Sequence, residues 1–171
     1  MSTPAYNFLR ALVIDDNHHT RALIKSLLLA IGLKQVYEAA DGGSGFEALR
    51  QHKPDFVLTD LSMKPVDGIE FTRMVRMAND SPNRYLPIIM ITGHTERDLV
   101  MAARDAGVTE FIAKPITAQN LMSRIGEIVE RPRPFIRSAG YFGPDRRRRK
   151  DPNYKGPGRR QDDGPGGPPR P

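Results

Sequence analysis

The stretch FVLTDLSMKPVDG, residues 56–68, gives the strongest indication of how this chain folds. Its first residues, Phe56, Val57 and Leu58, form an apolar run that is too short for a helix and typical of a strand buried on both faces. An aspartate, Asp60, follows almost at once. A deeply buried carboxylate is costly unless it is paired or bound to a metal, so we expect Asp60 to emerge where the strand ends.

Five short apolar runs recur along the chain, and segments with helical spacing separate them. The runs are ALVI (11–14), QVYEA (35–39), FVLT (56–59), PIIMIT (87–92) and FIA (111–113). In the first helical segment Leu23, Leu27 and Ile31 share one face, and Gly32 is placed to end the helix. Strands that alternate with helices predict an α/β fold, with a parallel sheet covered by helices on both faces.

Polar side chains follow four of the five predicted strands. The first run ends in Asp15 and Asp16, the third in Asp60, the fourth in Thr92 and the fifth in Lys114. Ligands of open parallel sheets bind beyond the carboxyl ends of the strands, so we expect these side chains to share one edge. Taken alone, Asp15 or Asp16 has an alternative role as the cap of the first helix.

Together these five residues indicate phosphoryl chemistry. Three neighbouring carboxylates repel one another and favour a cation among them, and oxygen ligands without His or Cys favour Mg²⁺. An aspartate can itself be the nucleophile and form an aspartyl-phosphate. Positioning and charge neutralisation, here by the metal and the lysine, are what phosphoryl transfer needs most.

The order of the five residues, with Phe111 three residues before Lys114 and Pro115 after it, resembles the receiver domain of response regulators. The similarity is to single-domain, chemotaxis-type members of two-component systems, and it spans roughly residues 8–130. It implies a flavodoxin-like fold whose five parallel strands have the order 2-1-3-4-5, with helices on both faces.

The resemblance also implies a role for each site residue. Asp60 would accept the phosphoryl group, Thr92 and Lys114 would contact its oxygens, and the Lys114–Pro115 peptide bond would be cis. The ligands of Mg²⁺ would be Asp16 and Asp60 directly, Asp15 through water, and the backbone carbonyl of Ser62.

Further positions of the resemblance concern switching and its rate. Phe111 would be the switch aromatic, which moves inward together with Thr92. Ser62 and His94 occupy the positions that tune dephosphorylation in the family. Lys64 departs from the family pattern, because the proline usually found there comes one residue later in this chain.

The charge of the chain is unevenly distributed. Residues 1–130 hold 14 Lys/Arg and 16 Asp/Glu, whereas residues 131–171 hold 12 and 4, and the latter also contain 9 of the 15 prolines. Such a composition buries too little apolar surface to offset the entropy of ordering it. We therefore divide the chain into a leader (1–7), a receiver domain (8–130) and a largely irregular, basic, Pro/Gly/Arg-rich tail (131–171).

Several protein classes are excluded or disfavoured. The absence of cysteine excludes disulfides and thiolate chemistry. The longest apolar stretch, LLLAIGL (27–33), is too short for a membrane span, and the first residues lack a signal-peptide pattern, so we expect a cytoplasmic protein. A dinucleotide-binding enzyme needs a glycine-rich motif after its first strand, but this chain has IDDNHH (14–19) there. We also expect no separate output enzyme domain.

The tail has three interpretations, and we favour a combination of the last two, with an aromatic anchor first and a basic grip after it. The first is a solvated extension without a special role. The second is an anion-binding arm for nucleic acid or, through the R-x-x-x-R spacing, a cyclic dinucleotide; its residues would be Arg133, Arg137, Arg146, Arg147, Arg148, Arg149 and Lys150. The third is an ordered arm, in which PFIRSAGYFGPD (134–145) docks on the receiver, a second protomer or a target, and Asp145 turns the chain before the arginines.

The favoured function is a phosphorylation-activated signalling switch. A histidine kinase or a phosphotransfer protein would phosphorylate Asp60, and the receiver would then change its binding to a protein partner. The expected partner face comprises the fourth helix, fifth strand and fifth helix (residues 99–106, Phe111 and 116–128), and a homodimer through this face or the tail is compatible with the sequence. The alternative is a nucleic-acid or cyclic-dinucleotide effector that the receiver gates, although no DNA-reading module fits in the tail.

Overall fold

The computed structural model describes residues 6–93 and 97–147, and its main domain is a five-stranded parallel sheet with the strand order β2-β1-β3-β4-β5. The strands are β1 (Arg10–Ile14), β2 (Gln35–Ala39), β3 (Phe56–Asp60), β4 (Ile88–Thr92) and β5 (Glu110–Ala113). The helices are α1 (His18–Ala30), α2 (Gly42–His52), α3 (Gly68–Met77), α4 (Arg97–Ala106) and α5 (Ala118–Glu130), and a short 3-10 helix (Tyr6–Phe8) precedes them. The predicted flavodoxin-like fold and strand order are confirmed. None of the helices in the described part of the chain has the length and apolar character needed to cross a membrane.

Polar residues start four of the five helices in the described part of the chain. Asn17 caps α1 by accepting a hydrogen bond from the Thr20 N–H at 3.1 Å, which leaves Asp15 and Asp16 outside the capping role. Capping boxes begin three further helices, and their N-cap residues are Asp41, Asp67 and Thr117. Each box satisfies amide groups that a helix leaves without intrahelical partners, so the loops after the strands turn into helices at defined residues.

The core lies on both faces of the sheet. Every residue of β3 and β4 is buried, as strands covered by helices on both sides require. On one face, Ile24 and Leu28 of α1 pack with Leu121 and Ile125 of α5. On the other face, α2, α3 and α4 cover the sheet through side chains that include Phe46, Phe71, Val75 and Ala103. The sheet is therefore covered on both faces, and its carboxyl edge carries the predicted site.

The beginning of the basic tail forms an antiparallel hairpin, β6 (Phe135–Ser138) and β7 (Tyr141–Pro144). Gly140, between the strands, has a φ of +82°, a conformation that glycine adopts without strain. All four residues of β7 are buried, and β7 contacts α3 and α4. The interpretation of the tail as an ordered arm that docks on the receiver is therefore confirmed for residues 135–145.

Candidate functional site

The predicted site lies at the carboxyl edge of the sheet, where the central strands end. Asp60 is the last residue of β3, and its neighbour in register is Ile91, so Thr92 extends one residue further along β4. Thr92 in turn pairs with Ala113 of β5, and Lys114 follows. The strand register therefore delivers the carboxylate, the hydroxyl and the amine to one edge, as the sequence predicts.

Three carboxylates form the acidic part of the site. Asp15, Asp16 and Asp60 each offer an oxygen within 4.8 Å of the others. Asp15 and Asp60 are buried, whereas Asp16 is exposed. Because all three donors are carboxylate oxygens, the cluster has the hard-ligand chemistry that Mg²⁺ prefers.

Asp15 holds one carboxylate oxygen ready for a ligand. Its Oδ1 accepts a hydrogen bond from the Asn17 N–H at 2.8 Å, whereas its Oδ2 is buried and accepts none from any residue that the structure describes. Burial is the main reason that the pKa of Asp15 is raised, and the negative charges of Asp60 and Asp16 raise it further. The hydrogen bond from the Asn17 amide and the positive charge of Lys114 oppose this by lowering the pKa. A buried, unsatisfied oxygen of this kind is costly, and a bound cation would relieve the cost.

Lys114 brings positive charge to the carboxylates. Its Nζ lies 3.2 Å from Oδ1 of Asp60, and its backbone N–H donates to the Thr92 carbonyl at 2.9 Å. The Lys114–Pro115 bond is cis, which confirms that expectation from the resemblance. A second cis bond, Lys64–Pro65, lies in the loop after β3 and is not predicted from the sequence.

The loop after β3 fits closely around Asp60. Gly68 starts α3 so near to it that a Cβ at this position would lie 2.3 Å from the Asp60 carbonyl oxygen. The Gly68 N–H also donates to the Leu61 carbonyl at 3.1 Å. An open pocket of about 360 Å³ adjoins this loop; it is lined by Asp16, Leu61, Ser62, Met63, Lys64, Asp67, Ile69 and Leu99. Ser62 and Lys64 are thus both beside the acidic cluster.

The switch residues differ in their surroundings. Thr92 is buried at the end of β4, and Phe111 is half-buried on β5. Phe111 packs against an apolar cluster that includes Met90 of β4 and Ala103 of α4. His94 lies outside the described residues, so its expected influence on dephosphorylation stays a prediction.

Arg21 is a site residue that the sequence patterns did not single out. Its Nη1 donates to the backbone carbonyl of Asp15 at 2.7 Å, and its Nε lies 3.5 Å from Oε1 of Glu38 on β2. Lys25, one helical turn later, donates to Oε2 of Glu38 at 3.0 Å. Arg21 therefore ties the loop that carries the acidic residues to helix α1 and strand β2. The i, i+4 spacing of the two basic residues was the available signal, but their acidic partner is known only from the fold.

Four of the predicted anion-binding arginines have partners within the chain. Arg133 pairs with Glu110, and Arg146 pairs with Asp105. The guanidinium of Arg137 lies over the Phe142 ring at 5.1 Å, and Arg147 Nε lies 3.4 Å from the Asp145 carboxylate. These four side chains contact four different groups, and Arg148, Arg149 and Lys150 lie outside the described residues.

Comparison with known proteins agrees with this geometry. The model of the response regulator receiver domain family matches residues 11–126. The chain is 37% identical over 123 residues to the chemotaxis protein CheY of Pseudomonas aeruginosa. The matched segment covers 72% of this chain and 98% of that protein. It is 34% identical over 123 residues to the chemotaxis protein CheY-3 of Vibrio cholerae, with 72% and 93% coverage.

Solved structures agree as well. The structure of Vibrio cholerae chemotaxis protein CheY4 superposes with a TM-score of 0.65 at 26% identity, covering 71% of this chain and 98% of that one. A response regulator receiver domain protein from Clostridium thermocellum gives a TM-score of 0.65 at 28% identity, with 72% and 96% coverage. The matched region is the receiver domain, and these comparisons identify no output enzyme domain. With its acidic pocket in place, the chain belongs to the family of response regulator receiver domains, the phosphorylation switches of two-component signalling.

Proposed function

We propose that Asp60 is the phosphoacceptor of this receiver and that a phosphohistidine of a histidine kinase or a phosphotransfer protein is the phosphoryl source. The observation that carries the proposal is the position of Asp60: it ends the central strand, shares the acidic cluster with Asp15 and Asp16, and has Lys114 at 3.2 Å. A carboxylate oxygen of Asp60 would attack phosphorus and form the P–O bond. The P–N bond breaks, and its electron pair stays on the imidazole, which takes a proton from solvent.

The surroundings of the three acids favour Asp60 over its neighbours as the nucleophile. Asp15 has one oxygen bound to the Asn17 amide, and its side chain is the more deeply buried of the two buried acids. Asp16 is exposed and has no lysine within ion-pair distance in the described part of the chain. Lys114 is placed to balance the charge that builds up on the oxygens around phosphorus, since its ammonium already faces the Asp60 carboxylate.

The same residues fit a divalent cation. Asp15, Asp16 and Asp60, with the Ser62 backbone carbonyl, would hold Mg²⁺, and the free Oδ2 of Asp15 is the feature that most supports this set. When bound, Mg²⁺ supplies positive charge that neutralises the carboxylates and the phosphoryl oxygens. Thr92 and Lys114 would contact the phosphoryl oxygens from β4 and β5.

Labelling with acetyl phosphate and Mg²⁺, followed by intact-mass measurement, tests the assignment. Asp60→Asn should abolish the phosphoryl adduct, because the amide is not nucleophilic. Asp80→Asn is the matched control: Asp80 is exposed, follows the end of α3 and pairs with Arg50 of α2, outside the acidic cluster. Undiminished labelling of Asp60→Asn would refute the assignment.

Phosphorylation is proposed to act on a protein partner through the face formed by α4, β5 and α5. Leu99 and Met101 of α4 are exposed, at 38% and 56%, and Phe111 is half-buried on the adjoining strand. Movement of Thr92 and Phe111 would alter this apolar face, and Ser62 and His94 would set how long the signal lasts. We place this exchange, and a homodimer through the same face or the tail where it forms, in the cytoplasm.

A second candidate role is anion binding by the tail, and the observation that favours it is the excess of 12 Lys/Arg over 4 Asp/Glu after residue 130. The probe is fluorescence anisotropy with generic duplex DNA, using the full chain and a truncation after Arg147 that keeps the hairpin. Tight, salt-dependent binding that disappears on truncation supports a nucleic-acid grip by the basic residues after Arg147, which include Arg148, Arg149 and Lys150. Equal, negligible binding of DNA by both proteins contradicts the nucleic-acid grip. A parallel titration with a cyclic dinucleotide tests whether Arg133 and Arg137 form a site for that ligand.

A further inference from the structure

The β6–β7 hairpin covers one corner of the receiver, which we call the hairpin corner. Its residues come from the end of α3, the loop before β4, the end of α4 and the start of β5; they are Arg76, Tyr85, Asp105, Gly107 and Glu110. Asp105 and Glu110 belong to the face proposed above for a protein partner. The hairpin therefore occupies part of the surface through which the receiver would signal.

An aromatic cluster anchors the hairpin. Phe142 is 8% exposed and meets Tyr85 edge-on with ring centroids 5.3 Å apart. Phe135 lies 5.1 Å from Tyr85 and 5.6 Å from Phe142. Pairs in this geometry stabilise packing beyond the burial of their area. The three rings thus join β6 and β7 to the loop before β4.

Arg76 lies beneath these rings and is 1% exposed. Its Nε donates to the Gly107 carbonyl at 3.0 Å and its Nη1 to the Leu86 carbonyl at 2.8 Å, while its guanidinium lies 5.0 Å from the Phe135 ring. Burial lowers the pKa of Arg76 to about 9, so the group stays charged at neutral pH. The two carbonyls belong to the receiver and satisfy the buried guanidinium, and the hairpin adds the Phe135 ring over it.

Two ion pairs and one close backbone approach complete the contact. Arg133 pairs with the buried Glu110 at the start of β5, and Arg146 pairs with Asp105 near the end of α4. A Cβ on Gly143 of β7 would lie 3.0 Å from the Cα of Gly107, so the two backbones touch. The hairpin is consequently attached to α3, α4 and β5 at the same time.

These attachment points adjoin the switch. Glu110 directly precedes Phe111, and Asp105 lies between Ala103 and Ala106, which both belong to the cluster that packs against Phe111. Leu61, the residue after Asp60, is in that cluster too. One continuous set of packed side chains therefore connects the end of β3 with the hairpin corner.

We propose that the hairpin corner is an interaction surface whose ligand is carried in the same chain, the β6–β7 hairpin, and that the hairpin leaves it when Asp60 is phosphorylated. The hairpin fits one relative arrangement of three elements, so a shift of α4 or β5 against α3 removes some of its contacts. A ligand shifts an equilibrium toward the arrangement it binds better, and such coupling is reciprocal. The docked hairpin thus opposes activation, and activation frees the partner face. This inference rests on the phosphorylation of Asp60 proposed above.

Hydrogen exchange of the full-length protein tests the release, with beryllium fluoride and Mg²⁺ as a stable mimic of the phosphoryl group. The amides of β6 and β7 should exchange about 10-fold faster once the mimic is bound, in the range of typical allosteric coupling. In Asp60→Asn the mimic should change nothing. Altered exchange around Thr92 and Lys114 with unchanged or slower hairpin exchange would overturn this inference alone. No change at either place would overturn the phosphorylation assignment and the inference with it.

The reverse coupling can be measured with a charge swap at an exposed contact. Arg146→Asp places two acids together and should loosen the hairpin, so that acetyl phosphate labels Asp60 about 3-fold to 10-fold faster. Asp105→Arg combined with Arg146→Asp restores the opposite charges and should return the rate to that of the unmodified protein. Neither residue is in the site. Equal labelling rates in all three proteins would overturn the proposal.

Discussion

Lys114 and Asp60 meet at 3.2 Å although their strands, β5 and β3, are separated by β4 in the sheet. The lysine side chain therefore reaches across the end of β4, past Thr92, to the carboxylate. This arrangement brings one positive charge to three acids. It also links the strand that carries Phe111 to the strand that carries the proposed phosphoacceptor.

Replacing Lys114 with methionine should slow phosphorylation roughly 100-fold, the usual cost of removing one group that stabilises developing charge. Methionine keeps most of the side-chain length and removes only the ammonium. The rate of labelling by acetyl phosphate at saturating Mg²⁺ is the measurement, and Lys53→Met, at the end of α2, is the control. A normal rate in Lys114→Met would show that the Asp60–Lys114 contact is not used in the reaction.

Gly68→Ala should destabilise the protein by about 1–3 kcal/mol, because its Cβ would lie 2.3 Å from the Asp60 carbonyl oxygen. Labelling of Asp60 should fall too, since the end of β3 must shift. Gly126→Ala in α5 is the matched control: the nearest side-chain atom is 3.7 Å away, and alanine should stabilise the helix by about 0.5–1 kcal/mol. Urea unfolding of both variants measures the two opposite changes.

Arg21→Met should lower the affinity for Mg²⁺ about 10-fold, because residues that orient metal ligands have effects of this size. The lost contact is the hydrogen bond from Arg21 to the Asp15 carbonyl. Lys25→Met removes the other basic partner of Glu38 but leaves Asp15 untouched, so it should bind Mg²⁺ normally. Titration calorimetry measures the Mg²⁺ affinity of both variants. Equal Mg²⁺ affinities of Arg21→Met and Lys25→Met would contradict the positioning role of Arg21.

Glu38 should contribute to stability only when it is ionised. The hydrogen bond from Lys25 is the main reason that its pKa lies below the ordinary 4.5, with the charges of Lys25 and Arg21 adding to it. Its contribution is therefore present above pH 4.5 and is lost as the pH falls through the lowered pKa. Glu38→Gln should cost less than about 1 kcal/mol at pH 7, since the group is partly exposed. Urea unfolding should show that the free energies of unfolding of Glu38→Gln and the unmodified protein become more similar as the pH is lowered below 4.5. A difference in these free energies that grows as the pH falls would contradict this account.

Removal of the hairpin should destabilise the receiver. A chain truncated after Glu130 loses the cover of Arg76 and the aromatic cluster, and truncation of a single buried phenylalanine costs roughly 3 kcal/mol or more. A chain truncated after Arg147 keeps every described contact of the hairpin and should unfold like the full protein. Comparison of their urea midpoints measures the difference. Equal midpoints would show that the hairpin adds nothing to the stability of the domain.

Much of the fold follows from patterns along the chain. The run ALVI (11–14) matches β1 (Arg10–Ile14), and FVLT (56–59) matches β3 (Phe56–Asp60), because strands buried on both faces must be continuously apolar. Parallel strands also bring their carboxyl ends to one edge, which is why the sequence predicts that Asp15, Asp16, Asp60 and Lys114 lie together. In contrast, the i, i+4 spacing of Arg21 and Lys25 indicates neither the hydrogen bond from Arg21 to Asp15 nor the shared ion-pair partner Glu38.

Local sequence patterns suffice to predict the alternating α/β architecture, the acidic edge of the sheet and the basic character of the tail. These features depend on local periodicity and on residue types at strand ends. The docking of the hairpin is known only from the folded molecule, as are the pairing of Arg133 with Glu110 and of Arg146 with Asp105 and the position of Arg76 under Phe135. The physical reason is that such pairings join residues far apart in sequence, so they exist only where folding has brought two surfaces together.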